Sequence, residues 1–120
     1  MKKLIYAVLL MSFGVHTVQA ASAEAYVIAV EKINEQYKKD TRVFFSTLDP
    51  MQRGFTAAQQ VQFCAIVTRY ADDLYVTADK NRSVLDRQYA GITKQDVNQQ
   101  VLNSKEMQML KQYNVQCDWK

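Results

Sequence analysis

Histidine is almost missing from the 120-residue chain: His16 is the only one, and it sits at the end of an apolar N-terminal run. That run follows Lys2 and Lys3, extends from Leu4 to Val15 with Ser12 and Gly14 as its only interruptions, and leads into His16-Thr17-Val18-Gln19-Ala20. Charge, short apolar core and small residues in this order predict a secretory signal peptide over 1–20, cut after Ala20 or, as second choice, after Ala23. The core is too short for a membrane span of about 20 residues, and His16 and Gln19 stop its extension, so no stable membrane insertion is expected after cleavage. No cysteine follows the run, which argues against a lipid anchor. The expected destination is the periplasm or the outside of the cell. Cleavage also removes the only imidazole, which leaves none for general-base work near neutral pH or for metal ligation.

An excess of one charge is also missing. The formal charge of +3 includes Lys2 and Lys3, so residues 21–120 carry 13 of the 15 basic residues against 12 acidic ones, a net of +1. The densest basic cluster in that part is Lys38-Lys39 with Arg42. A near-neutral chain of this kind gives no sign of a nucleic-acid or anionic-lipid partner.

Breakers are few. Gly54, Gly91 and Pro50 are the only glycines and proline after the leader, and no alternating run of β-branched residues occurs. The prediction is an all-α fold: a single small helical bundle of about four to five helices over residues 21–120, following the leader. Such a domain is marginally stable on its core alone. The two cysteines supply a remedy in an oxidising compartment. A Cys64–Cys117 disulfide closes a loop of about 54 residues and contributes about 4 kcal/mol on the chain-entropy estimate. It also brings Trp119 toward the helix that carries Cys64.

That helix is expected to be central. From Thr56 to Ala90, the residues Val61, Cys64, Val67, Ala71, Leu74, Ala78, Leu85 and Tyr89 form an apolar stripe at helical spacing, with Phe63, Tyr70 and Tyr75 on its flanks. Thr56 and Gln59 have capping-box spacing, and Gly91 is the expected stop. A continuous helix of roughly 34 residues would be about 50 Å long, too long for a domain of this size. A break is therefore expected at Asp79–Ser83, with Asn81 or Ser83 as a new N-cap, because an unbroken helix would put Arg82 in the apolar stripe.

The first helix is expected over Ser22–Thr47, with Tyr26, Val30, Ile33, Tyr37, Phe44 and Leu48 facing inward. Asp49-Pro50 ends it and starts a short turn up to Gly54. Thr93 and Asp96 repeat the capping spacing ahead of Val97, Val101 and Leu102. Ser104 caps a last helix carrying Met107, Leu110 and Tyr113, and Asn114 leads into the Cys117 tail.

Candidate chemistry is sparse. Ser46, Ser83 and Ser104 have no histidine to activate them, and Lys105 beside Ser104 is adjacent only in sequence. Asp72 and Asp73 point about 100° apart on a helix, which makes a poor acid–base dyad. Met107 and Met109 are too few for a soft-metal site without histidine, so no metal or cofactor is expected. Asp72, Asp79 and Asp86 recur every seven residues and cannot converge on calcium along one helix; a solvated face with a local Asp79–Arg82 ion pair is the simpler account. Apart from Tyr6 in the leader, the tyrosines are Tyr26, Tyr37, Tyr70, Tyr75, Tyr89 and Tyr113, and five of the six are expected on or beside core stripes. An exposed cluster of Tyr70, Tyr75 and the tail is the alternative reading.

With catalysis set aside, the expected function is protein binding by a small exported domain, an inhibitor or immunity protein acting on a cell-envelope enzyme or effector. Its layout is similar to that of small helical periplasmic immunity proteins against cell-wall-degrading effectors, in the signal peptide, the size of the helical domain and the cysteine in a central helix. The resemblance is one of architecture and carries over no residues. Expected contact residues are Asp72, Asp79 and Arg82, with Trp119 nearby. The expected partner is another envelope protein, with self-association left open. Two other classes compete: a periplasmic stress chaperone that opens in acid, and a carrier of a small apolar ligand held near Tyr70 and Leu74.

Overall fold

The computed structural model describes residues 22–118; the leader expected over residues 1–20 and Trp119 lie outside them. Among the described residues there are four α-helices and no strand: α1 Ala23–Ser46, α2 Ala57–Lys80, α3 Lys94–Leu102 and α4 Lys105–Lys111, with one 3₁₀ turn at Arg82–Val84. The small helical bundle and the Cys64–Cys117 disulfide are both present.

Local chemistry sets the helix starts. Ser22 accepts from the Ala25 amide at 3.2 Å and opens α1. For α2, the Thr56 hydroxyl accepts from the Gln59 amide at 3.1 Å and the Gln59 side chain accepts from the Thr56 amide at 2.9 Å. Thr93 and Asp96 make the same reciprocal pair for α3, and Ser104 caps α4. These caps satisfy amides that no helix can pair internally. After α1, the Asp49 carboxylate accepts from the Met51 amide at 2.9 Å and forms the short Asp49-Pro50 turn. Gly54 follows with φ of +137°, and a Cβ there would lie 3.1 Å from the Tyr113 carbonyl oxygen, so the turn requires glycine.

α1 and α2 form a hairpin, and α3 packs on α2 with α4 following it. The core joins Phe44 of α1 to Phe63, Val67 and Ala71 of α2, then to Val97, Val101, Met107, Val115 and Cys117. Phe55 in the hairpin turn closes an aromatic cluster, its ring centroid 5.2 Å from Phe44 and 5.5 Å from Phe63.

Several expectations require correction. α2 breaks where Arg82 would have entered the stripe, but Asn81 ends α2 and does not cap a new helix: its side-chain amide donates to the Thr77 carbonyl at 2.7 Å. Leu85 and Tyr89 therefore leave the helix, and Gly91 is no C-cap, since it has no positive φ and lies beyond the broken segment. Val61 is 71% exposed, whereas Phe63, assigned to the flank, is 1% exposed. The buried arc is centred on Phe63, Val67 and Ala71 because α1 and the turn approach from the Phe63 side, and Val61 lies about 120° from Val67. Tyr89 and Tyr113 are also exposed; Tyr113 falls past the end of α4.

These placements predict unequal costs for trimming α2. Phe63→Ala is expected to destabilise the domain by about 3–5 kcal/mol and Val61→Ala by less than about 0.5 kcal/mol, read from urea unfolding. Similar costs at both positions would contradict the packing. Cys64→Ser is expected to cost roughly 2–5 kcal/mol by the same measurement under non-reducing conditions, with little change once both proteins are reduced.

Candidate functional site

The acidic edge proposed for partner contact is built mostly of internal pairs. Asp72, on the side of α2 that faces α3, lies 3.2 Å from Lys94 at the start of that helix. Asp79 accepts from Arg82 Nε at 2.8 Å. Arg82 also donates to the Ala90 carbonyl at 2.9 Å and sits 5.9 Å from the centre of the Tyr75 ring. Its guanidinium therefore ties the 82–92 loop back to α2, and the hydrogen bond to Asp79 raises its pKa further. Asp86 lies beyond the break, so the seven-residue row of aspartates does not exist in three dimensions. Trp119, the fourth candidate, lies outside the described residues.

A cleft of about 500 Å³ does occur at Tyr70 and Leu74, where the notional ligand cavity was expected. α1 contributes Asn34 and Tyr37, and the start of α4 contributes Glu106. Tyr37 and Tyr70 stack with centroids 4.1 Å apart and planes 15° from parallel, while the Tyr70 hydroxyl donates to Asn34 Oδ1 at 2.7 Å. Burial, with the charge of Glu106 adding to it, pushes the Tyr37 phenol up to about 12, and the same causes raise Tyr70. Lys38, Lys105 and Glu106 on the rim make this cleft a poor host for a wholly apolar ligand.

A second cleft, of about 450 Å³, lies between the start of α1 and the 82–92 loop and is lined by Tyr26, Val27, Val84, Leu85, Tyr89 and Ile92 among others. A third runs along the α1–α2 hairpin near its turn, has a volume of about 590 Å³, and is floored by Val43, Phe44, Ala65 and Ile66. The sequence marks Lys39 only as part of the densest basic cluster, with Lys38 and Arg42, and does not single out Val43, Ile66 or Arg69. A further signal was the lack of any acidic residue between Asp49 and Asp72.

Among the described residues, no three His, Cys, Asp or Glu side chains converge as a metal cage would require. Both cysteines are in the disulfide. The clefts bring together no nucleophile and base in hydrogen-bonding reach; what they bring together is a stacked phenol pair and an open apolar groove. Among the described residues, no helix is long and apolar enough to cross a membrane. No family model, curated protein or solved structure gives a significant match to the chain.

The tyrosine pair makes a testable signature in alkali. Unfolded tyrosine ionises near pH 10, whereas folded Tyr37 holds its proton to about 12, so the stability associated with it is complete below pH 10 and falls as pH rises toward 12. Urea unfolding at pH 8 and pH 11 should show this loss, and Tyr37→Phe should lose less between the two. Equal losses would contradict the assignment.

Proposed function

We propose that the chain is an exported protein-binding domain, of the kind that inhibits or gives immunity to an enzyme or effector of the cell envelope. One observation carries the reading: ten large apolar side chains of the described residues stand in solvent, and four of them, Val43, Phe45, Met51 and Val61, flank the hairpin turn at 42% to 86% exposure. Single exposed apolar residues are ordinary, but a set of them on a rigid, disulfide-clamped domain fits a surface meant to be covered. A disulfide between residues far apart in sequence fits an oxidising compartment, in keeping with the leader proposed at residues 1–20.

The apolar cleft by Tyr26, Leu85 and Tyr89 favours a second reading, a carrier of a small apolar ligand. The two readings separate in one experiment. Mature protein tagged just after residue 20 is used for affinity capture from the envelope fraction of its host without reductant, followed by mass spectrometry. A stoichiometric protein partner is expected, and the bait should begin at Ala21 when exported untagged. Clean capture with nothing bound would overturn the binding-protein reading, and a thermal shift with a lipid or aromatic compound would then favour the carrier.

A further inference from the structure

We propose that the groove between the second half of α1 and the first half of α2 seats an acidic amphipathic helix of the partner; this rests on the protein-binding reading above. The groove lies on the hairpin face turned away from the rest of the fold. At 100° per residue, Cys64, Ala71 and Asp72 point toward the tail and α3, which the disulfide and the Asp72–Lys94 pair demonstrate. Gln62 and Arg69 are exposed on the other side, and Ile66, half-buried against the core, lines the groove beside them.

The floor of the groove is apolar and reachable. Val43 is 58% exposed, and Ala65 and Ile66 face it from α2. Its walls are helices, whose backbone groups are already paired, so an added strand would find no ladder to extend. An incoming helix instead places side chains at i, i+3 or i+4, and i+7 between the two rows. From Lys39 to Thr47 the groove runs about 12 Å, which takes slightly more than two helical turns.

Charge decides what flanks those anchors. From Lys38 to Arg69 the chain has five basic residues, Lys38, Lys39, Arg42, Arg53 and Arg69, against two acidic ones, Asp40 and Asp49. The opposite half of the hairpin is acidic, with Glu24, Glu31, Glu35, Asp72, Asp73 and Asp79 against Lys32 and Lys80. Both ion pairs among the described residues lie outside the groove, so Lys39 and Arg69 on its rims have no carboxylate within 4.0 Å there. Asp40, the one acid in the groove, accepts from Gln36 Nε2 at 2.8 Å. Carboxylates beside the partner's apolar anchors complement these two bases. A second copy in a two-fold contact would set bases against bases, and a nucleic-acid backbone offers nothing apolar for Val43 and Ile66.

The probe is a designed 14-residue helical peptide with leucines at i, i+3, i+4 and i+7 and glutamates flanking them, paired with a version carrying lysine in place of glutamate. Binding to the mature, oxidised protein is followed by fluorescence anisotropy and amide chemical shifts. The glutamate peptide is expected to bind at least ten-fold more tightly, to shift the Val43, Ala65 and Ile66 amides, and to lose that preference with the exposed double variant Lys39→Glu/Arg69→Glu. Val43→Asp should weaken both peptides, and all variants should melt within a few degrees of wild type. No saturable binding, no preference between peptides, or shifts confined to the α3 side would overturn the proposal. So would wild-type dimers in sedimentation that the double variant abolishes, which would assign the groove to a second copy. If the capture experiment yields a partner that the double variant retains equally, the groove is wrong and protein binding stands; if wild type retains none, the broader reading fails.

Discussion

Two adjacent residues of α2 hold the domain together by facing different neighbours. Phe63 turns to Phe44 of α1 and Phe55 of the hairpin turn, and Cys64, one residue later and about 100° around the helix, is bonded to Cys117. A helix with only one buried face would leave either α1 or the tail to dock on its own weak contacts. With both faces engaged, α2 becomes the shared wall of one core, in which Val67 and Ala71 continue the same arc. The disulfide joins the last part of the described chain to this wall, which adds to the stability of a small domain whose core is modest.

The remaining polar interactions mostly finish segments that the core leaves loose. Arg82 is the clearest case, because one guanidinium reaches Asp79, the Ala90 carbonyl and the Tyr75 ring, and so holds the irregular stretch after α2. A residue proposed for partner contact from its position in sequence thus has structural work to do within the fold. Asp72 likewise faces Lys94. Such exposed pairs add little stability individually, but they neutralise the charge that would otherwise advertise this edge to a basic partner.

The hairpin's excess of positive charge lies at its other half. Basic side chains with no carboxylate partner among the described residues border an apolar groove, and large apolar residues stand in solvent around the turn. Recognition by apolar anchors with charged flanks is a common way for a small rigid protein to bind a specific partner, with the anchors supplying affinity and the flanks discriminating among partners. The immunity and inhibitor reading draws its support from that arrangement and from the disulfide, and the layout noted in the sequence points the same way.

Much of the fold was legible in the residues themselves. Thr56 with Gln59, Thr93 with Asp96, and Ser104 announced helix starts because a cap is a local hydrogen-bond problem solved within four residues. The break before Arg82 was legible for a similar reason, since a charge cannot enter an apolar stripe without a partner. The all-α class and the cysteine pairing followed from a shortage of breakers and from there being only two thiols. Whether Val61 or Phe63 is buried was not legible, because both are apolar and the choice depends on which side α1 approaches, a contact between segments far apart in sequence. The same holds for the groove: Lys39 and Arg69 belong to different helices, and only hairpin packing sets them on one face. Local hydrogen bonding and periodicity were written in the sequence; the side of each helix that meets another, and therefore the surface left over for a partner, was decided by tertiary packing.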